Sequence, residues 1–221
     1  AEDRPICQDT GMTIIFLELG QDLHLEGGDL TEAINAGVAK GYTEGYLRKS
    51  VVAEPLFNRV NTQNNTPAII YTKIVPGDQL RIELTCKGFG SENKGGIKML
   101  VPADGVEGVK KAVLDIIQHA SCNPCPPMVV GVGIGGTMDQ AAYLSKRALM
   151  RNITVRNEHP DYANLENELL EMINKTGIGP QLGGTTSALA VNIEWGPTHI
   201  AGLPVAVTIC CHACRHAVRV L

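Results

Sequence analysis

The residues with most chemistry to offer are the cysteines, seven in all and crowded into a few places. Cys122 and Cys125 sit in residues 121–137, SCNPCPPMVVGVGIGGT, where Pro124, Pro126 and Pro127 fix φ and forbid helix. Cys210, Cys211 and Cys214 gather with His212, Arg215 and His216 behind an apolar run at 205–209. Cys7 opens a dense patch, PICQDTG, in which thiol, amide, carboxylate and hydroxyl follow one another. Thiolates are ligands for zinc and for iron–sulfur clusters, so metal chemistry is the first expectation. An odd number of thiols in clumps does not read as a secreted disulfide framework and points to a reducing, cytoplasmic setting.

Three arrangements compete for these thiols and for the glycines beside them. Gly131, Gly133 and Gly136 match the dinucleotide fingerprint G-x-G-x-x-G after a short strand, with Glu158 downstream for a ribose hydroxyl. That reading leaves every cysteine unexplained. Cys122/Cys125 and Cys211/Cys214 are both C-x-x-C pairs, the ligand count of a structural zinc site, and a zinc-binding scaffold subunit would need nothing more. A redox C-x-x-C fits less well, because a proline pair and a strand follow Cys125 instead of a helix N-terminus. The third arrangement is a cluster held by one cysteine from each separated patch. With three thiolates, one iron is left open as a Lewis acid toward a substrate oxygen. Cationic Arg48 and Arg215 and the glycine loops then suit a small dicarboxylate, and Asp9 a proton transfer. Each patch also has a plainer explanation: Asp9-Thr10-Gly11 as a turn before a strand, and 87–96 as an exposed loop.

The elements that must hold these patches alternate between strand and helix, which predicts an α/β fold. Residues 12–19, 68–75, 79–86, 128–130, 187–194 and 205–209 read as strands, and 153–156 as a further candidate. Pro76-Gly77-Asp78 reads as a hairpin turn between two of them. Helices are expected at 29–47, capped by Asp29 and ending at Arg48, and at 107–120, 138–151 and 161–176, the last capped by Asp161 and closed by Gly177. The loop 87–96, with its glycines, Ser91, Glu92, Asn93 and two lysines, is donor-rich and suited to anions. A third glycine loop occupies 178–186.

Composition narrows the field further. The 221 residues are 44% hydrophobic and 19% charged, with net charge −4, which suits a globular domain and gives no basic excess for nucleic acid. Aromatics are only 4%, too few for base or sugar stacking as a main task. No apolar run approaches a membrane span of roughly 18 residues, and no signal peptide is visible. With Ala1 in first place and no initiator methionine, the chain is expected to begin inside a longer polypeptide.

Taken in order, PICQDTG, KGFGSEN, CPP followed by GVGIGGT, GPQLGGTTSALAV and HIAGLPVAV-x-x-x-C-x-A-x-R-H resemble the alpha part of class I fumarate hydratase and the related alpha subunit of L-tartrate dehydratase. The likeness runs from Pro5 nearly to the C-terminus. It implies an α/β fold of mixed sheets with flanking helices, with residues 1–221 forming one cluster-binding domain. It implies a [4Fe-4S] cluster bound by Cys7, Cys125 and Cys211, with Cys122, Cys210 and Cys214 as extras and Cys86 a core residue. Gln8 and Asp9 become the cluster's substrate and acid–base neighbours, Arg48 a carboxylate grip, and Gly90 a backbone N–H donor. His199 and Arg215 are expected nearby. The reaction implied is reversible hydration of fumarate to L-malate, or tartrate dehydration. A beta subunit completes the site, in a dimer of alpha–beta units, and the open iron makes the cluster oxygen-labile.

Overall fold

A computed structural model describes residues 6–181 and 183–221; Pro5 of PICQDTG and Leu182 of the third glycine loop lie outside them. In chain order the elements begin with β1 (Met12–Gly20), α1 (Leu30–Glu44), β2 (Ile69–Val75), β3 (Leu80–Lys87) and the single turn α2 (Phe89–Glu92). They continue with β4 (Gly96–Leu100), α3 (Gly105–Ala120), β5 (Met128–Gly136), α4 (Met138–Ala148) and α5 (Pro160–Lys175). The last three are β6 (Ala188–Thr198), β7 (Leu203–Cys210) and β8 (His216–Val220). The expected α/β class is what forms, with mixed sheets and flanking helices. The chain divides into two compact units, one of the described residues up to Phe89 with Ala213–Leu221, the other Gly90–His212.

In the first unit the strand order is β2-β1-β3-β8. β1 and β2 are parallel and joined by α1, whereas β1–β3 and β3–β8 are antiparallel. Asp29 caps α1 by accepting the Glu32 N–H at 2.8 Å, as its position in the sequence requires. Ile15 and Leu17 on one face of β1 bury against Val38 and Tyr42 of α1, with Ala68 and Leu80. Two expectations fail here. Because β1 lies between β2 and β3, Pro76-Gly77-Asp78 turns the chain past a neighbour and closes no hairpin. α1 ends at Glu44, since Gly45 and Tyr46, the latter at φ 53, leave helical geometry, so Arg48 stands beyond the helix.

The second unit is the sheet β4-β7-β5-β6, with β5 parallel to β6 and antiparallel to β7. α3 and α5 cover one face, where Val113, Ile117, Leu169 and Ile173 meet Val130, Val132, Ile193 and Ile209, all essentially inaccessible to water. α4 lies on β5, and the glycines of GVGIGGT are there for it. A Cβ on Gly133 would fall 2.0 Å from the Ala141 carbonyl oxygen, and one on Gly131 2.1 Å from that of Ser145. These glycines therefore admit a helix and not a ligand. They lie inside the nine-residue strand β5 and not in a strand-to-helix turn, so the dinucleotide reading fails. Gly133→Ala should lower stability by about 1–3 kcal/mol through overpacking, read as a fall in denaturant midpoint.

Other departures have local causes: α5 begins at Pro160 behind His159, so Asp161 lies in the first turn and is not its cap. Residues 153–156 form no strand because the Asn152 carboxamide accepts both the N–H (2.9 Å) and the hydroxyl (2.8 Å) of Thr154, a side-chain turn competing with extended pairing. β4 and β8 were missed in the sequence because both are five-residue edge strands, largely exposed on both faces, whose short apolar alternation buries nothing. Among the described residues, no helix is long and apolar enough to cross a membrane.

Candidate active site

Topology brings the motifs to one end of each sheet. In the first unit β1 starts where antiparallel β3 ends, Met12 opposite Lys87, and where β8 begins, Thr85 opposite His216. Residues 7–11, Gly88 and Arg215 therefore share that end. The turn they build is densely bonded. Asp9 accepts the Gly11 N–H on Oδ1 and the Phe89 N–H on Oδ2, each at 2.9 Å, which closes the turn and caps α2. Tyr42 donates its hydroxyl to the carbonyls of Thr10 (2.8 Å) and Gly11 (3.2 Å), and Asn65 Nδ2 donates to Gly11 at 3.0 Å. Thr10 Oγ1 donates to the Arg48 carbonyl at 2.8 Å, and Asn65 Oδ1 accepts the N–H groups of Ser50 and Val51. Gly11, at φ 66, has Lys87 backbone 2.1 Å from where a Cβ would stand, so no other residue fits. Cys7 is half-buried with its thiol directed to Gln8 Oε1 at 3.7 Å, and the Arg48 side chain is exposed.

The second unit repeats the logic. β5 starts where antiparallel β7 ends, Val129 opposite Cys210, and parallel β6 starts beside β5, Met128 opposite Ala188. β4 begins at that end too, Gly96 opposite Val207. The turn 122–125, Cys211 and the third glycine loop are thus neighbours. His212 donates its N–H to the Cys125 carbonyl at 3.3 Å, and its Nδ1 lies 3.2 Å from the same oxygen. Gln181 Nε2 reaches the Cys122 carbonyl at 3.3 Å, and a Cβ on Gly90 would lie 3.8 Å from the Asn123 carbonyl oxygen. Cys125 is exposed and left-handed at φ 57, a conformation costing about 1–2 kcal/mol for a residue with a Cβ.

The structure therefore gathers Cys7, Gln8, Asp9 and the Arg48 backbone in one unit, and Gly90, Cys125 and Cys211 in the other. His199 is in the β6–β7 turn, at the opposite end of its sheet from the cysteines. The 87–96 loop is less of an anion cradle than its composition suggests. Lys87 is 2% exposed with Nζ on the Gly88 carbonyl (3.3 Å), and Glu92 is ion-paired with Lys146 of α4. Arg215 points its guanidinium at main-chain carbonyls. Tyr42 and Asn65 were missed. Tyr42 read as one apolar position on a helix, and a fully buried Asn65 inside a polar stretch carries no signal of its own.

Burial, and then the Cys86 thiol beside it, push the Tyr42 hydroxyl above the ordinary tyrosine range. A folded-state pKa above the unfolded value of about 10 gives stability that is present at neutral pH and is lost as pH rises above that value. Tyr42→Phe should cost about 1–3 kcal/mol at pH 7 and flatten the alkaline fall of stability, measured by urea unfolding across pH.

Comparison with known proteins adds the remaining observation. The family model described as "Fumarate hydratase (Fumerase)" matches residues 1–220. The chain belongs to the fumarate hydratase family. It is 45% identical over 222 residues to a putative L(+)-tartrate dehydratase subunit alpha of Methanocaldococcus jannaschii, covering 97% of this chain and 77% of that one. It is 38% identical over 218 residues to the L(+)-tartrate dehydratase subunit alpha of Escherichia coli strain UTI89, covering 96% of this chain and 71% of the relative.

For a member of the fumarate hydratase family the donor set fits an iron–sulfur cluster. All seven cysteines are thiols outside any disulfide, and Cys7, Cys125 and Cys211 each sit in a loop at a strand end, half-buried or exposed. Among the described residues no three His, Cys, Asp or Glu side chains stand close enough to hold a single metal ion. A cubane takes its thiolates on separate iron corners, and within the second unit Cys125 and Cys211 come from separate loops at one end of the sheet.

Proposed function

We propose that this chain is the cluster-binding alpha part of a class I, iron–sulfur fumarate hydratase, interconverting fumarate and L-malate together with a beta part. The observation that carries the reading is the meeting of the Cys125 and Cys211 loops at one end of β5 and β7, tied by His212 to the Cys125 carbonyl. Cys7, Cys125 and Cys211 would hold a [4Fe-4S] cluster. Bound there, the cluster supplies an open Lewis-acid position that polarises the substrate's C–O bond.

The chain's own residues do the rest. Arg48, exposed at the Thr10 hydroxyl, offers a guanidinium to a substrate carboxylate, and the Gln8 amide and the Gly90 N–H add neutral donors. Asp9 uses one acceptor site on each oxygen for Gly11 and Phe89, which fixes its orientation and leaves lone pairs to take or return a proton at carbon. A beta-part residue completes the acid–base pair, so the chain alone should turn over little or nothing. Water adds across the double bond with hydroxyl on one carbon and the proton on the other, without net redox change. Alpha–beta units pair as a dimer in the cytoplasm.

A second reading, the alpha subunit of an L-tartrate dehydratase, is favoured by the names of the relatives at 45% and 38% identity. The machinery is the same, with a different hydroxyl contact. Loading the chain anaerobically with iron and sulfide, adding the beta subunit, and assaying fumarate, L-malate and tartrate separates the two. Turnover of fumarate and malate supports the first reading, and tartrate alone the second. Failure on all three with cluster and beta subunit present would overturn both.

A further inference from the structure

Arg215 was expected to face the substrate. Its side chain instead reaches the main chain of the CQD turn, with one terminal nitrogen 3.4 Å from the Cys7 carbonyl oxygen and the other 3.4 Å from that of Asp9. From this geometry we infer that Arg215 is a positioning residue, a fork that sets the backbone between Cys7 and Asp9 so that thiol and carboxylate keep one spacing. The inference rests on the hydro-lyase reading for its catalytic consequence, though not for the contacts themselves.

Three features support it. The turn's other carbonyl partners, Tyr42 and Asn65, hold only Thr10 and Gly11, its downstream half. The upstream half, which carries both reactive side chains, is the part Arg215 grips. The arm also starts from a fixed point: the Arg215 carbonyl accepts the Cys86 N–H at 3.3 Å, immediately before β8 pairs with β3. Finally, the two acceptors are separated by one residue, and the guanidinium meets each with its own terminal nitrogen, a fixed fork that a single ammonium nitrogen lacks. Arg215 is half-buried, so these bonds meet less competition from water than surface ones.

The test compares wild type with Arg215→Lys and Arg215→Gln. Hydrogen exchange of the 7–11 amides, led by the Gly11 N–H, is followed in the chain without iron. Exchange about tenfold faster in both folded variants is expected, with the rest of the molecule unchanged. With iron, sulfide and beta subunit added, kcat should fall about tenfold while KM stays within about twofold, with lysine the milder change. Unchanged exchange in folded variants would overturn the inference, and so would a raised KM at constant kcat, which marks direct substrate binding. Failure of both variants to fold would make Arg215 a purely structural residue and also overturn it. Should wild type itself lack hydratase activity, the hydro-lyase reading falls while the exchange result still decides the contact.

Discussion

Cys125→Ser and Cys211→Ser, each made alone, are expected to abolish the cluster and lower hydratase activity by about a thousandfold or more, since a Lewis acid contributes several kcal/mol. Cys7→Ser should do the same, although Cys7 lies in the other unit. Cys122→Ser should keep both properties, because Cys122 contributes its carbonyl to the Cys125 N–H (3.2 Å) and to Gln181, and serine retains that carbonyl. The pattern discriminates. A zinc site built on the two C-x-x-C pairs would lose metal with Cys122 and tolerate the loss of Cys7. Visible absorbance and iron content after anaerobic loading read the outcome.

Glu166→Ala should cost the second unit about 3–5 kcal/mol, because it empties a buried site and leaves the part-buried Arg151 and Arg156 and the N–H groups of Asn157 and Ile193 without this acceptor. Glu166 is 0% exposed. Its Oε1 accepts from Arg151 at 2.6 Å and from the Ile193 N–H at 2.8 Å, and its Oε2 from the Asn157 N–H at 3.0 Å, with Arg156 at 3.7 Å. One carboxylate thereby joins α5, β6 and the 151–157 loop. For a chain this long the thermal midpoint should drop by roughly 10 °C. Glu166→Gln keeps the shape and should fall between the two. A melting curve for Glu166→Ala that overlays wild type would show that the network contributes nothing.

Much of this was legible in the sequence where short-range rules apply. Asp29 capped its helix, Gly177 closed another at φ 67, and the PICQDTG and CPP motifs fell at strand starts. What stayed hidden depends on neighbours the chain meets only after folding. Gly131 and Gly133 looked like ligand-facing backbone, yet they are clearance for α4, a helix that follows in sequence but packs back across the strand. Lys87 counted as a loop cation and is buried at the end of β3, because the alternation that buries Glu83 and Thr85 carries on into it. The sequence put β2 and β3 side by side. The βαβ crossover through α1 placed β1 between them, and no local turn signal records that. Arg48 and Arg215 looked alike as cations, and only the fold shows one exposed and the other spent on two carbonyls.

Uptake of iron and sulfide together on Cys7, Cys125 and Cys211 is what the hydro-lyase reading requires of this chain. The direct measurement is the iron, zinc and acid-labile sulfide content of wild type and Cys7→Ser after anaerobic reconstitution. About four irons and four sulfides per wild-type chain, and neither retained by Cys7→Ser, is the predicted result. One zinc per chain, no labile sulfide, and no difference between the two proteins would contradict it.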